Sequence, residues 1–109
     1  MTNEKVSFQM ISLAGDAFSK LVEALRLTRS GDEELSKQRI EESEKLMNEA
    51  HNLQTQLIVK EARGEDNKFS VLLIHAQDTL MNTILMSTIT NEMIEMYKSL
   101  KNGEIANEK

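Results

Sequence analysis

The chain has 109 residues and contains no cysteine, proline or tryptophan. A chain of this length forms one domain, so we expect a single domain over residues 1–109. The lack of cysteine excludes a disulfide scaffold, a thiolate zinc site and a cysteine nucleophile within the chain. Eighteen acidic residues against 13 basic ones give a formal net charge of −5, which argues against a nucleic-acid partner. No apolar run is long enough to span a bilayer and no signal pattern follows Met1, so the sequence predicts a cytoplasmic protein without direct membrane insertion.

Three glycines divide the chain into three long helical segments. Gly31, Gly64 and Gly103 each lie in a polar stretch that is typical of a helix end followed by a turn or tail. The segments between them are rich in good helix formers, and β-branched residues never alternate with polar ones over the length of a strand. The predicted fold is therefore all-α, an antiparallel up-down-up three-helix bundle. We expect residues 102–109 to form a disordered tail.

The first predicted helix runs from about residue 4 to residue 29. It carries apolar residues at steps of three and four, and Ile11, Phe18 and Val22 widen this apolar face. The second helix begins at Asp32 and runs to about residue 63, with two glutamates in its first turn. Its first half is highly charged, so only the later half is predicted to be fully buried.

The third predicted helix runs from a cap at Ser70 to about Lys101. Its apolar positions are Leu73, Leu80, Ile84, Leu85, Ile89, Met93, Met96, Tyr97 and Leu100. The seven methionines of the chain lie at helical spacing, and we expect them to fill the core rather than to form a promiscuous binding surface.

His75 lies one turn into the third helix, in the most apolar stretch of the chain. A neutral imidazole is one of the few side chains that can act as a nitrogen nucleophile, for example toward a phosphoryl group. Thr79 and Asn82 follow at steps of four and three residues, so they extend a polar line along the same face. The alternative is a core histidine with a satisfied hydrogen bond, and the pattern alone favours this plainer interpretation.

Asp78 occupies an apolar stripe of the third helix together with Val71, Ile74, Met81 and Leu85, spaced as in a coiled-coil seam. A buried carboxylate is costly unless it is paired, protonated or bound to a cation. If the stripe faces identical helices around a symmetry axis, the equivalent carboxylates converge and a divalent ion would relieve their repulsion. An ion pair between Asp78 and an Arg or Lys of another helix is an equally good hypothesis.

The second histidine, His51, lies in the middle of the second helix, three residues before Gln54. It is either a group that supports the site indirectly or a surface residue, and the surface interpretation is favoured. The sequence has no Glu-x-x-His or His-Glu-x-x-His spacing and no glycine-rich phosphate loop, so neither a di-iron bundle nor a zinc protease is indicated.

Three segments resemble one bacterial protein family. Residues 73–83, LIHAQDTLMNT, resemble the active-site segment of the lactose/cellobiose-type IIA components of the phosphoenolpyruvate-dependent sugar phosphotransferase system. Residues 14–21, AGDAFSKL, and 49–55, EAHNLQT, resemble the motifs of its first and second helices, in the same order and at the same separations. The resemblance covers nearly the whole chain.

The resemblance implies a homotrimer of three-helix subunits that carries phosphoryl groups. The family histidine matches His75 and is transiently phosphorylated on Nε2 by the phosphohistidine of the small carrier HPr. The acceptor is a cysteine of the cognate IIB component, which passes the group to a sugar crossing the membrane through IIC. The sugar class is a β-linked disaccharide, either cellobiose or another β-glucoside, chitobiose or lactose.

The resemblance also implies roles for the neighbours of the histidine. The family aspartate matching Asp78 lies at the trimer axis with a shared divalent cation, for which Mg²⁺ is the expected ion. Gln77 matches a family glutamine that helps to shape the site. Two positions depart from the pattern, since Thr79 stands where a second histidine is common and Phe18 where an arginine is frequent.

A second class of function stays open on the sequence alone. A helical oligomerising or adaptor protein without chemistry would use His75 and Asp78 only to fix the register of its helices. That hypothesis predicts that His75→Gln retains every activity.

Overall fold

The computed structural model describes residues 2–65 and 69–103, and three α-helices make up nearly all of this part of the chain. Helix α1 spans Asn3–Ser30, α2 spans Glu33–Ala62 and α3 spans Val71–Lys101. The predicted all-α, up-down-up fold is confirmed, with helix bounds within one or two residues of those expected. Most of the predicted tail, residues 104–109, lies outside the described residues. None of the helices in the described ranges is long and apolar enough to cross a membrane.

Side chains at the helix starts explain why the helices begin where they do. The side chains of Thr2, Asp32 and Ser70 each accept a hydrogen bond from the backbone N–H three residues later, at 3.0 to 3.2 Å. Helix α1 ends at Gly31, whose φ of 93° lies in the left-handed region that glycine adopts without strain. Because Asp32 caps α2 directly after this glycine, the chain reverses within two residues.

Helix α1 lies between the other two helices. It packs along both α2 and α3, whereas α2 and α3 make few contacts with each other. The molecule measures 59 × 27 × 19 Å, and its radius of gyration of 17.5 Å exceeds the roughly 13 Å typical of a compact chain of this length. The three helices of the single subunit therefore form a flat, elongated layer with α1 in the middle. One face of α3 is not covered by the other two helices.

The apolar core occupies the half of the bundle that also contains His75. It is formed by Val6, Met10 and Ala14 of α1, Ala50 and Leu57 of α2, and Leu73, Ala76 and Leu80 of α3. The other half buries small and hydroxyl-bearing residues beside a few large apolar ones such as Leu21 and Ile94. There the Thr28 hydroxyl donates to Ser36 Oγ at 2.6 Å, and Ser36 Oγ donates to the Ala24 carbonyl at 2.8 Å. This buried chain of hydrogen bonds joins α1 to α2.

The burial of α2 differs from the prediction. Its buried residues recur every seven positions along the whole helix, at Ser36, Ser43, Ala50 and Leu57. The expectation that only the later half is fully buried is wrong, because serine hydroxyls satisfied by backbone carbonyls let the polar half pack closely. Ile58 lies in the later half of α2, which was predicted to be buried, and is exposed.

A continuous apolar stripe along α3 is exposed in the single subunit, and we call it the α3 seam. Its apolar members are 43% to 85% exposed: Val71, Ile74, Met81, Leu85, Ile89, Met93, Met96 and Leu100. Asp78 lies within this stripe and is also exposed. The prediction that the methionines fill the core is wrong for Met81, Met93 and Met96, because α3 buries a different face within the subunit.

A cluster of ion pairs also joins α1 to α2. Lys20 lies 3.0 Å from Glu42, and Arg39 contacts both Glu42 and Glu23, the latter at 2.9 Å. The hydrogen bond from Lys20 and the charge of Arg39 lower the pKa of Glu42, while the hydrogen bond to Glu23 raises the pKa of Arg39. These side chains are partly exposed to solvent, which screens their charges, so the ion pairs contribute modestly to stability.

Candidate functional site

His75 lies in the second turn of α3 and its side chain is exposed. The helix buries Leu73 and Ala76 on either side of it, and successive residues of a helix differ by 100° in direction. His75 therefore points away from the core, and the interpretation of it as a core histidine is wrong. Within residues 2–65 and 69–103, no hydrogen bond to its imidazole ring is formed.

The imidazole opens into a shallow cleft between α1 and α3, which we call the His75 cleft. Helix α1 contributes Gly15 and Phe18, and α3 contributes His75, Asp78, Thr79, Asn82 and Thr83. The predicted polar line of His75, Thr79 and Asn82 thus does lie on one surface. Asp78 is the one side chain with a formal charge among these lining residues.

Threonine side chains hold the two helices together beneath the cleft. The Thr83 hydroxyl lies 2.9 Å from the Thr79 carbonyl and 3.2 Å from the Ala14 carbonyl, so its proton is shared between α3 and α1. The Thr79 hydroxyl donates to the His75 carbonyl at 2.7 Å. Its proton is therefore engaged with the helix backbone, although its oxygen can still accept a hydrogen bond.

Asp78 has a polar neighbour but no cationic one. Its carboxylate accepts a hydrogen bond from Asn82 Nδ2 at 3.5 Å, and no Lys or Arg of the described segments forms an ion pair with it. The hypothesis of an ion pair to another helix of the same chain is therefore not supported. Over the same segments, no three His, Asp or Glu side chains gather as a metal site. Among the residues that line the cleft, one chain thus offers Asp78 as a single carboxylate ligand.

The remaining residues predicted from the sequence do not line the cleft. His51 is exposed on α2, as the surface interpretation expects, and its carbonyl accepts a hydrogen bond from Thr55. Gln54 and Gln77 are half-buried, and neither is among the side chains that line the cleft. The cleft of a single subunit therefore provides no support for the supporting roles predicted for these three residues.

Two residues of the cleft, both on α1, differ from what the sequence predicts or have no predicted role. Phe18 was expected to widen the apolar face of α1, but it is 41% exposed and lines the cleft. Gly15 is exposed and lines the cleft, and the signal that could have identified it is a glycine in the middle of an otherwise regular helix. Both lie within the segment 14–21 that carries the resemblance of the first helix.

The arrangement suits one kind of chemistry. An exposed imidazole on a rigid helix is a nucleophile that a large partner can reach, and the cleft is too open to enclose a small substrate. The site thus favours transfer of a group between proteins.

A family model for the lactose/cellobiose-specific IIA subunit of the phosphotransferase system (PTS) matches residues 5–98. The chain belongs to this family. The match spans all three helices and includes the complete His75 cleft. The resemblance drawn from three short segments is thereby confirmed over most of the chain, and the protein is a IIA component of a sugar phosphotransferase system.

Curated relatives of this IIA chain are named lactose-specific EIIA components of the PTS. The protein of Staphylococcus aureus is 42% identical over 101 residues, which cover 90% of this chain and 98% of the relative. The protein of Lacticaseibacillus casei is 39% identical over 106 residues, covering 94% and 95% of the two chains.

Solved structures of IIA proteins share the fold. The cellobiose-specific enzyme IIA from Bacillus anthracis superposes with a TM-score of 0.89 at 42% identity, covering 94% of each chain. The chitobiose IIA of Escherichia coli, solved in complex with HPr, gives a TM-score of 0.80 at 34% identity and covers 93% of this chain and 98% of that one. The relatives are thus named for three different sugars, lactose, cellobiose and chitobiose, and the solved ones share one helical fold.

Proposed function

We propose that this IIA chain is a cytoplasmic phosphoryl carrier in which His75 Nε2 accepts a phosphoryl group from phospho-HPr. It passes the group to a cysteine of the cognate IIB component, and that transfer drives uptake and phosphorylation of a β-linked disaccharide through IIC. The exposure of His75 in a cleft that holds no other nucleophilic nitrogen or sulfur is the observation that carries the proposal. The solved complex of a related IIA with HPr supports the choice of donor.

The transfer requires little from this chain beyond position. The neutral His75 Nε2 attacks phosphorus in line, a new N–P bond forms, and the N–P bond of the donor breaks as its imidazole recovers the electron pair. In the second transfer the thiolate of IIB attacks the same phosphorus, and His75 leaves as a neutral imidazole. The exposed amide of Asn82 lies in the same cleft and can donate a hydrogen bond to an equatorial oxygen.

The openness of the cleft fits a carrier that must serve two proteins. HPr and IIB both need the same nitrogen, so their docking surfaces overlap and they compete. Such interfaces are small and dissociate quickly, which allows a relay to turn over.

The α3 seam supports assembly of this chain as a homotrimer. It extends from Val71 to Leu100, which is about 44 Å of helix, and presents apolar side chains that α1 and α2 do not cover. Apolar patches of this extent on a small domain mark protein interfaces. Three seams packed around one axis would bury these side chains in the pattern of a coiled coil.

Within such a trimer, Asp78 fits a shared divalent cation. The carboxylate lies inside the seam without a cationic partner in the described residues of its own chain, so three copies would converge with uncompensated charge. Carboxylate oxygens are the ligands that Mg²⁺ prefers, and the ion would neutralise charge at the axis. The ion takes no part in bond making or breaking, which occur at His75 Nε2 and at the reacting atoms of the two partners.

Nuclear magnetic resonance of the phosphorylated protein tests the proposed carrier role. After incubation with phosphoenolpyruvate, enzyme I and HPr, long-range ¹H–¹⁵N spectra should show one of the two histidines phosphorylated at Nε2, and the signal should be absent from His75→Gln. Failure to phosphorylate any histidine would remove the relay and favour an adaptor without chemistry.

A further inference from the structure

The His75 cleft has an unusual charge for a place that receives a phosphoryl group. Asp78 is the lining side chain with a formal charge, and that charge is negative. Sites that bind phosphate in proteins normally place Arg or Lys against the anion. Within the described part of the chain, no Lys or Arg lines this cleft, and the ion-paired cations Lys20 and Arg39 lie between α1 and α2. The cleft therefore opposes the negative charge of a bound phosphoryl group.

The uncharged polar side chains of the cleft do little to offset this charge. The Thr79 hydroxyl donates its proton to the His75 carbonyl at 2.7 Å, and the Thr83 hydroxyl proton is shared between two backbone carbonyls. The amide of Asn82 has two N–H groups, one of which donates to Asp78 at 3.5 Å. One N–H group of Asn82 thus remains for an oxygen of the phosphoryl group.

Asp78 is close enough to His75 for the two charges to interact. Residues three positions apart on a helix are neighbours, with Cβ atoms about 5 to 6 Å apart. A protein-bound phosphoryl group carries about 1.5 to 2 negative charges at neutral pH. Because Asp78 is exposed, water weakens its repulsion of this group but does not remove it at such a short separation.

We propose that the Asp78 carboxylate raises the free energy of phosphorylated His75 and so makes this chain a better phosphoryl donor to IIB. The inference rests on the proposed carrier function. In the reversible transfer from HPr, an N–P bond forms at His75 Nε2 while the N–P bond of HPr breaks and its imidazole recovers the electron pair. The same bonds form and break with or without Asp78, so the carboxylate shifts the equilibrium and is not a catalytic residue.

The effect of Asp78 is expected to depend on the shared divalent cation proposed above. An ion bound to the carboxylates neutralises part of their charge and weakens the repulsion. The equilibrium should therefore move toward phosphorylated His75 when Mg²⁺ is added and back toward phospho-HPr when the ion is chelated.

The equilibrium between phospho-HPr and the full-length protein tests the proposal. Purified phospho-HPr is mixed with each protein in the presence of a chelator, without phosphoenolpyruvate or enzyme I. Intact mass after an alkaline quench gives the phosphorylated fraction of both partners, and circular dichroism verifies the fold. Asp78→Asn removes the charge and Asp78→Glu keeps it. Glu44→Gln is the matched control, since Glu44 is an exposed carboxylate of α2 that does not line the cleft.

Asp78→Asn is expected to raise the equilibrium constant for phosphorylation of His75 about threefold or more at low ionic strength. Wild type, Asp78→Glu and Glu44→Gln should have equal constants. The difference should shrink at about 1 M KCl, where the Debye length is about 3 Å, because salt screens charges but does not reverse a change in packing. Mg²⁺ should raise the constant of the wild type and leave that of Asp78→Asn unchanged.

Several results would overturn the proposal. If the constant of Asp78→Asn equals that of the wild type or is lower, the carboxylate does not destabilise phosphorylated His75, and the carrier role stands. If the difference persists at high salt, or if Asp78→Glu behaves like Asp78→Asn, its cause is a change in structure rather than in charge. If Mg²⁺ shifts wild type and Asp78→Asn equally, the ion acts elsewhere. If HPr does not phosphorylate the wild type, the carrier function fails, and this inference fails with it.

Discussion

His75 and Asp78 lie one helical turn apart on α3 and line the same cleft, but Asp78 also belongs to the α3 seam. The carboxylate has Asn82 as its polar neighbour, at 3.5 Å. His75 and Asp78, the charged residue of the α3 seam, therefore lie within the same turn of α3. This arrangement places the proposed chemistry at the edge of the proposed subunit interface.

Asp78→Leu is expected to preserve or strengthen the homotrimer and to abolish its bound divalent ion. Leucine continues the apolar seam and removes three converging carboxylates. Oligomeric mass by sedimentation and metal content by elemental analysis are the measurements. Asp16→Leu, at an exposed position of α1, is the control and should retain the metal. A dissociated Asp78→Leu protein, or one that still holds the ion, would contradict the axial position.

Leu85→Lys is expected to dissociate the assembly and to leave the subunit folded. Leu85 is 58% exposed in the single chain, so lysine disturbs no core, but three unpaired ammonium groups in an apolar seam are costly. Ile58→Lys changes an aliphatic residue of similar exposure on α2 and should leave the mass unchanged. Sedimentation with circular dichroism separates loss of assembly from loss of fold. A trimeric Leu85→Lys protein would exclude the α3 seam as the interface.

Ser36→Ala should destabilise the fold by about 1 to 3 kcal/mol, because it leaves the buried Thr28 hydroxyl without its acceptor. Urea denaturation at a fixed protein concentration measures the change. Ser30→Ala removes an exposed hydroxyl and is expected to stay within about 0.5 kcal/mol of the wild type. Equal midpoints for the two variants would show that the Thr28–Ser36 bond contributes nothing.

Glu42→Gln should cost stability at neutral pH and little in acid. The ion pairs lower the folded-state pKa of Glu42 from 4.5, so its charged form contributes stability above that pH. The contribution is lost as the pH falls through the folded-state value. The melting temperatures of wild type and Glu42→Gln should therefore converge below pH 4.5. Glu41→Gln, which changes an exposed neighbour, is the control and should melt at the same temperature as the wild type at every pH. A constant difference across this range would contradict the lowered pKa.

The helices followed directly from local signals in the sequence. Polar side chains at Thr2, Asp32 and Ser70 cap the three helices, and glycine at Gly31 ends the first. These signals act within one turn of helix, so they can be recognised without knowledge of the tertiary structure. The burial of α2 could not be predicted in this way, because a serine such as Ser43 is polar by type but packs like alanine once its hydroxyl donates to a backbone carbonyl.

The candidate site could be predicted only in part, because its residues depend on which helix faces are buried. Periodicity identifies apolar stripes but does not say whether the same subunit or another one covers them, so Met93 and Phe18 were both assigned to the wrong environment. The exposure of His75 likewise depends on which face α3 buries. The segment that carries His75 and Asp78 was recognisable because its polar residues interrupt an otherwise apolar stretch.

The central claim, that His75 carries the phosphoryl group, is tested most directly by intact mass. Wild type, His75→Gln and His51→Gln are incubated with phosphoenolpyruvate, enzyme I and HPr, and the reactions are quenched at alkaline pH, where phosphohistidine survives. The account predicts one added phosphoryl group on wild type and on His51→Gln, and none on His75→Gln. A phosphoryl group on His75→Gln that His51→Gln lacks would contradict it and move the site to α2.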